Sequence, residues 1–521
     1  MNPTITLLTP TPRFANDLAD VVRIFWGGAQ FRVNEPGGEI TITHTETEEN
    51  GLRVCRMDMS GACSGRAEKR KEISPDPLLE KRYHKRLIKQ ALYDVMKQVT
   101  GRTPPWGSLT GIRPTRLLYE GMSRGLTLEQ AEAETKEIFE LLPEKAALLR
   151  EIIEVQQALP VPKDDEVDLY VGIPFCVSRC AYCSFLSGEV GKGKQLPPYV
   201  DALEKEIAGT LLLMEEKGLK PRAFYMGGGT PTSLSAAMLD RVLSAAQPFI
   251  DRAMEVTVEA GRPDTIDRDK LNVIRDHGAT RISINPQTMH DETLQKIGRR
   301  HTTAQTEAAY ALAREVGFSH INMDLIAGLP GENLDMFLQT LAWSRALSPE
   351  SLTVHTLSIK RSSLLHLWEA QLPDGDMVAR MVDAGRAEAA SRGMRPYYLY
   401  RQKHMAGNLE NVGYALPSHA CIYNVDMMEE TGHVLACGAG AISKRVDPAI
   451  GRIESAPNVS EIQNYIDRTD EMLQRKWALW QGDWKKLGSM QKLVGGTALW
   501  IPKSGSPHTP LRESNQRFDK R

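Results

Sequence analysis

Between residues 165 and 360 the chain alternates short apolar runs with longer amphipathic ones, and this alternation restricts the fold more than any other feature of the sequence. Such a pattern specifies a parallel sheet whose crossovers are helices. Six strands are predicted, at 169–173, 223–225, 255–258, 281–284, 321–325 and 352–356. In sheets of this kind ligands sit at the C-terminal ends of the strands, so the residues just after each run are the first candidates for chemistry.

The expected fold is therefore α/β, a partial (β/α)6 barrel with additions, because 521 residues exceed what one hydrophobic core usually serves. Residues 1–75 alternate β-like runs such as EITITHT with polar turns and read as a small α+β domain. Residues 76–160 read as a helical connecting region: one helix over 76–99 and another starting at Thr127, where Gln130 completes a capping box. Between them lies TPPWGSLTGIRPTRLL, whose Trp106 is expected to be a packing anchor. Residues 361–500 are expected to form a mixed, largely helical C-terminal region, and 501–521 a disordered tail.

Composition narrows the partners. The formal net charge is −2, which predicts no strong attraction to nucleic acid or anionic membranes, and no apolar run reaches the length of a membrane span. The opening MNPTITLLTPTPRF lacks a basic start and a long apolar stretch, so a cytoplasmic location is expected. Seven cysteines in so long a chain are not a disulfide framework.

Three of them follow the first predicted strand in GIPFCVSRCAYC, a C-x3-C-x2-C spacing made by Cys176, Cys180 and Cys183. Three thiolates can hold three irons of a cubane and leave the fourth open to a small molecule. On spacing alone a structural zinc completed by Cys421, Cys437 or a histidine stays open as an alternative, while Cys55, Cys63, Cys421 and Cys437, being isolated, are expected to be inert thiols. The second strand ends in YMGGGTPTSL, where Gly227, Gly228 and Gly229 let backbone amides approach a ligand. The third ends in TVEAGRPD, placing Glu259 at the mouth as a hydrogen-bond acceptor. The fourth and fifth, RISINPQTMHDETLQKIGRRHT and INMDLIAGLPGE, contribute Gln287, Arg299 and Asp324.

The cysteine motif, with Tyr182 before its last cysteine, resembles the signature of the radical S-adenosylmethionine (SAM) superfamily. That resemblance implies a 4Fe-4S cluster on Cys176, Cys180 and Cys183 whose open iron chelates SAM, and reductive cleavage of SAM to a 5'-deoxyadenosyl radical. Taken with GGGTPT, VEAG, the interval from Gln287 to Arg299 and DLIAGLPGE, the sequence is similar to the oxygen-independent coproporphyrinogen III oxidase family. WGSLTGIRPTRL, VHTLSIKRSS, YYLYRQKHMAGNLENVGYA and GAGAISK resemble its HemZ branch.

By position, the resemblance implies that Tyr170, Gly228 and Glu259 contact SAM at the cluster, with Tyr182 beside the cluster loop. It further implies a second SAM at Gly229, Thr230, Gln287, Arg299 and Asp324, with Ser358 placed by its interval after Asp324. The implied reaction is oxidative decarboxylation of two propionates of coproporphyrinogen III to vinyl groups, giving protoporphyrinogen IX in haem synthesis, with an electron donor such as a flavodoxin or ferredoxin. Ser184-Phe185 stands where the oxidase pattern has a further cysteine, a departure shared with oxidase-like branches, one of which transfers haem. A haem chaperone on the same scaffold, with His404, His419 or His433 as axial ligands, and a radical SAM enzyme acting on another tetrapyrrole are the alternatives. Candidate partners for substrate carboxylates are Arg179, Lys360, Arg361, Arg401 and Lys403; Tyr397, Tyr398 and Tyr400 are candidates for stacking on a tetrapyrrole or for packing.

Overall fold

In a computed structural model the described residues are 3–183, 188–359, 363–367, 374–402, 405–447 and 452–481. Six parallel strands form the centre: β1 (Glu166–Ile173), β2 (Lys220–Gly228), β3 (Glu255–Gly261), β4 (Arg281–Ile284), β5 (Ile321–Ala327) and β6 (Ser351–Thr356). Each pairs with the next in chain order. Most of their residues are buried, as in strands covered on both faces, and all four residues of β4 are buried although Arg281 and Ser283 are polar.

Helices return the chain between strands, and local chemistry fixes where they begin. Ser235, Asp267 and Asn333 accept hydrogen bonds from backbone N–H groups in the first turn of their helices, and Thr302 with Gln305 forms a full capping box. These caps set the strand-to-helix turns at the C-terminal end of the sheet, where the site lies.

The C-terminal region adds strands to both edges of this sheet. β7 (Arg395–Tyr400) and β8 (Asn411–Ala415) continue it antiparallel from β6. β9 (His433–Cys437) runs parallel to β1 and is followed by β10 (Ile442–Asp447) and β11 (Arg452–Pro457). The eleven-stranded sheet has the order β7-β8-β6-β5-β4-β3-β2-β1-β9-β10-β11 and remains open among the described residues. The region is thus mixed: its strands attach it to the core, and its helix Ile422–Glu429 packs Tyr423 against Tyr170 of β1 and Tyr225 of β2. Thr469–Gln481 is fastened by a wholly buried ion pair between Lys476 and Glu206. The expected tail at 501–521 lies outside the described residues.

The N-terminal extension has a second core. Five strands in the order Gln30–Val33, Thr4–Leu8, Ile40–Glu49, Leu52–Gly61 and Gly65–Glu72 pack against Ala15–Phe25 and Pro77–Thr100. Asp76 caps the long helix, whose Leu87, Ile88, Leu92 and Val95 enter this small core. Thr127 and Gln130 make the capping box of Leu128–Phe139. Trp106, fully buried, donates its indole N–H to Glu410 Oε2 at 2.6 Å and so joins the extension to the segment leading into β8. Among the described residues no helix is long and apolar enough to cross a membrane.

Candidate functional site

Directly after β1 the chain turns across the C-terminal end of the sheet. Phe175 and Cys176 pair in parallel with Gly188 and Glu189, and the far side of the turn is tied down by Ala181 N–H donating to Ile297 O at 2.8 Å and Ser178 Oγ donating to Gly298 O at 3.0 Å. The loop therefore presents Cys176, Cys180 and Cys183 as partly exposed thiols, none of them in a disulfide. Cys421 and Cys437 are elsewhere and engaged: the Cys421 thiol donates to Glu255 Oε1 at 3.1 Å, and Cys437 lies among Thr210 and Lys476. Neither can complete a zinc site with the loop. Burial pushes the Cys421, Cys437 and Cys55 thiols above their ordinary value, as inert buried thiols require, and the half-buried Cys63 shifts the same way.

The glycine turn after β2 lies against this loop. Gly228 has φ +111°, a conformation suited to glycine. A Cβ on Gly229 would stand 2.6 Å from Phe175 O and 3.0 Å from Cys176 Sγ, and Thr230 Oγ1 is 3.5 Å from the same sulfur. A Cβ on Gly227 would meet the Glu259 carboxyl at 2.9 Å. Three thiols on one loop, facing a backbone turn stripped of side chains, fit a cuboidal cluster with a small-molecule ligand beside it.

Glu259 ends its strand inside the mouth and accepts from Tyr225 OH at 2.5 Å. Burial raises its carboxyl to about 7, with the neighbouring Asp324 adding to the rise and the Tyr225 hydroxyl opposing it. Asp324 takes the other course. Burial would raise it too, but His355 at 3.6 Å and Asn322 Nδ2 at 2.8 Å hold it below the usual carboxylate range. His355 in turn faces Tyr400 OH at 3.4 Å. Tyr170 stacks on Tyr225 and Tyr423, with centroids 6.4 and 6.2 Å away.

Gln287 adopts φ 72° and bridges to β5, its N–H donating to Asp324 O and its carbonyl accepting from Ile326 N–H, both at 3.0 Å. Its Oε1 is buried with no hydrogen-bond partner among the described residues, as are Asn285 Oδ1 and Arg299 Nε. Arg299, buried, reaches Tyr182 OH at 3.2 Å and Asn285 O. Three unmatched polar atoms beside the cluster loop mark a place that a polar ligand would satisfy. Ser358 lies just past β6 in a backbone bridge with Met405.

Sequence reasoning missed Arg262. Its guanidinium holds Ser178 O at 3.1 Å and Ser178 Oγ at 2.9 Å, pairs with Asp264, and comes within 3.9 Å of Cys180 Sγ. The available signal was an arginine just after a strand end, in EAGRPD. His355, the fifth residue of β6, was missed too; a lone histidine in a buried strand carries little signal.

Other expectations are corrected by burial. Arg401 donates to Leu109 O at 2.8 Å and Asn408 O at 2.7 Å and lies 5.0 Å over the Trp106 ring, so it braces the extension and is unavailable to a substrate. His433 accepts from Val446 N–H at its Nδ1 and contacts Asp164 O through Nε2, near the N-terminal end of β1, so it is no axial ligand. His419 packs on His320 at the N-terminal ends of β4 and β5, at the opposite end of the sheet from the cluster loop. The Tyr398 ring lies on Gly413, where a Cβ would approach to 1.9 Å, and is a packing residue, as is the buried Tyr397. Lys360, Arg361, Lys403, His404 and the Ser184-Phe185 pair fall outside the described residues.

Comparison with known proteins places this geometry. The radical SAM superfamily pattern matches residues 170–344. The chain is 38% identical over 484 residues, 90% of its length and 94% of the relative's, to the oxygen-independent coproporphyrinogen-III oxidase-like protein HemZ of Bacillus subtilis. It is 31% identical to the heme chaperone HemW of the same organism over 44% of this chain and 61% of that one. Among solved structures, coproporphyrinogen III oxidase (HemN) from Escherichia coli, described as a radical SAM enzyme, superposes with a TM-score of 0.48 at 24% identity, covering 64% of this chain and 74% of the other.

Proposed function

Since the chain belongs to the HemZ-type, oxygen-independent coproporphyrinogen III oxidase-like family of radical SAM proteins, with the 4Fe-4S cluster and SAM of that family, we propose that it acts on coproporphyrinogen III. The reaction we infer is oxidative decarboxylation of two propionates to vinyl groups, giving protoporphyrinogen IX and carbon dioxide. The observation that carries this reading is that the likeness to HemZ extends through the N-terminal extension and not only the cluster-bearing core.

When bound, the reduced cluster and SAM supply a radical able to remove hydrogen from an unactivated carbon. The residues of the chain do the rest. Cys176, Cys180 and Cys183 would hold the cluster through their three thiolates. The Gly227–Gly229 turn would offer backbone amides to SAM, and Glu259 would accept hydrogen bonds from its hydroxyls. Tyr170 and Tyr182 border the same space. Gly229, Thr230, Gln287, Arg299 and Asp324, with Ser358 at the rim, are the proposed contacts of a second SAM, and the unmatched Gln287 Oε1 and Arg299 Nε support that assignment.

The test is an anaerobic assay of cluster-reconstituted protein with SAM, a reductant and coproporphyrinogen III, following carbon dioxide, protoporphyrinogen IX and 5'-deoxyadenosine together. Coupled formation of all three is expected. Deoxyadenosine without decarboxylation would move the assignment to another tetrapyrrole.

A second reading, a haem chaperone, is favoured by the likeness to HemW and by Ser184 in place of a further cysteine. Stoichiometric haem binding without turnover of coproporphyrinogen would establish it.

A further inference from the structure

We propose that the surface around the cluster loop is a docking site for an acidic one-electron carrier protein, held by the exposed cations Arg179, Lys192, Lys194, Lys296 and Arg300. The proposal rests on the reading that Cys176, Cys180 and Cys183 carry a cluster that must be reduced by one electron.

Two segments flank the cluster loop. On one side, Gly188 and Glu189 pair with Phe175 and Cys176, Val190 N–H donates to Cys176 O at 2.9 Å, and a turn closed by Gly193 N–H on Val190 O at 2.8 Å keeps Lys192 and Lys194 beside the loop. On the other, Ile297 O and Gly298 O receive hydrogen bonds from Ala181 and Ser178. There Arg299 turns inward to Tyr182, which leaves Lys296 and Arg300 facing solvent. Arg179 is exposed on the loop itself.

The charge of this surface is local. The whole chain is formally −2, yet the cluster loop and its two flanks expose five cations and, among the described residues, one carboxylate, Glu189. That carboxylate accepts from Arg179 N–H at 3.2 Å. Lys192, Lys194, Lys296 and Arg300 form no ion pair among the described residues. The nearest acids in sequence, Asp291 and Glu292, start the helix that Lys296 ends, and Asp291 is engaged with Thr303.

Exposed cations gathered on one surface raise the encounter rate of an oppositely charged protein by about 10- to 1000-fold, an effect that salt screens. Their position matters as much as their sign, because they ring the loop through which an electron must enter. In the step proposed, the carrier, a reduced flavodoxin or ferredoxin, is oxidised by one electron and the cluster reduced by one. No proton or group is transferred.

The experiment uses the full chain with reconstituted cluster and follows bleaching of its visible absorbance in a stopped-flow instrument. Reduced flavodoxin and neutral photoreduced deazaflavin are compared as donors. In wild type the flavodoxin rate constant is expected to fall as salt rises, while the deazaflavin rate does not. K192E/K194E/K296E/R300E is expected to lose about tenfold or more with flavodoxin at low salt, to lose the salt dependence, and to keep its iron content and deazaflavin rate. If the fourfold variant loses iron, K192E/K194E alone, in a turn without a cluster ligand, is expected to show the same selective slowing.

A flavodoxin rate indifferent to salt in wild type, or unchanged in the variants, overturns the proposal. So does a rise in KM for coproporphyrinogen with flavodoxin reduction unaltered, which would assign the cations to substrate carboxylates. A wild-type protein that assembles no iron-sulfur chromophore would instead defeat the underlying reading.

Discussion

The indole N–H of Trp106 donates to Glu410 Oε2 at 2.6 Å across 304 residues of sequence, and the same carboxylate holds Lys145 Nζ through Oε1 at 2.7 Å. Arg401, stacked on Trp106, ties the WGSLTG stretch to the strand that extends the barrel sheet. Two of the stretches that resemble the HemZ branch, far apart in the chain, are thus one packed unit.

This unit should behave as a buried ion pair. Lys145→Met leaves Glu410, 1% exposed, without its cation and is expected to destabilise the protein by about 3–5 kcal/mol. Adding Glu410→Leu should recover part of that loss. Thermal unfolding followed by circular dichroism tests this; additive losses would show that the two residues are not coupled.

Gly229→Ala is expected to abolish cluster assembly in a protein that still folds, because the new Cβ meets Phe175 O at 2.6 Å and Cys176 Sγ at 3.0 Å. Alanine at Cys176, Cys180 or Cys183 should do the same. Cys421→Ala should keep its iron and instead lose about 1–3 kcal/mol of stability, since it removes a buried hydrogen bond to Glu255. Iron content and visible absorbance decide, and iron loss in Cys421→Ala would overturn the ligand assignment.

Glu259 should make SAM binding release protons. Its carboxyl stands near 7 in the free protein against an ordinary 4.5, so between those values the folded chain holds a proton that the unfolded chain has lost. The folded state therefore loses relative stability as pH rises through that window. A ribose that donates hydrogen bonds to the carboxylate favours the charged form and expels the proton. Calorimetry at pH 6.5 in buffers of different ionisation enthalpy should detect this release in wild type, and Glu259→Gln should abolish it.

Arg262 should tune the cluster electrically. A guanidinium 3.9 Å from Cys180 Sγ favours the more negative, reduced state of whatever that sulfur binds. Arg262→Gln is expected to shift the midpoint of a potentiometric titration, followed by electron paramagnetic resonance, to a more negative value without loss of iron. An unchanged midpoint would reduce Arg262 to a brace for Ser178.

Much of the molecule was legible in the sequence because the relevant signals are short. Apolar runs of the kind found in Glu166–Ile173 and Ile321–Ala327 specify parallel strands within a few residues, and Thr127 with Gln130 or Thr302 with Gln305 fixes a helix start within three. The spacing of Cys176, Cys180 and Cys183 is equally local, since one loop carries all three. Tertiary structure alone decided what depends on distant chain segments meeting. A buried guanidinium reads in sequence like an exposed one, so Arg401 looked available to a substrate until the carbonyls of Leu109 and Asn408 were placed around it. The left-handed backbone of Gln287 exists because Asp324 and Ile326 clasp it from the neighbouring strand. His355 acquires a role only when β5 brings Asp324 to its ring, for charge interactions act through space and the sequence records order along the chain.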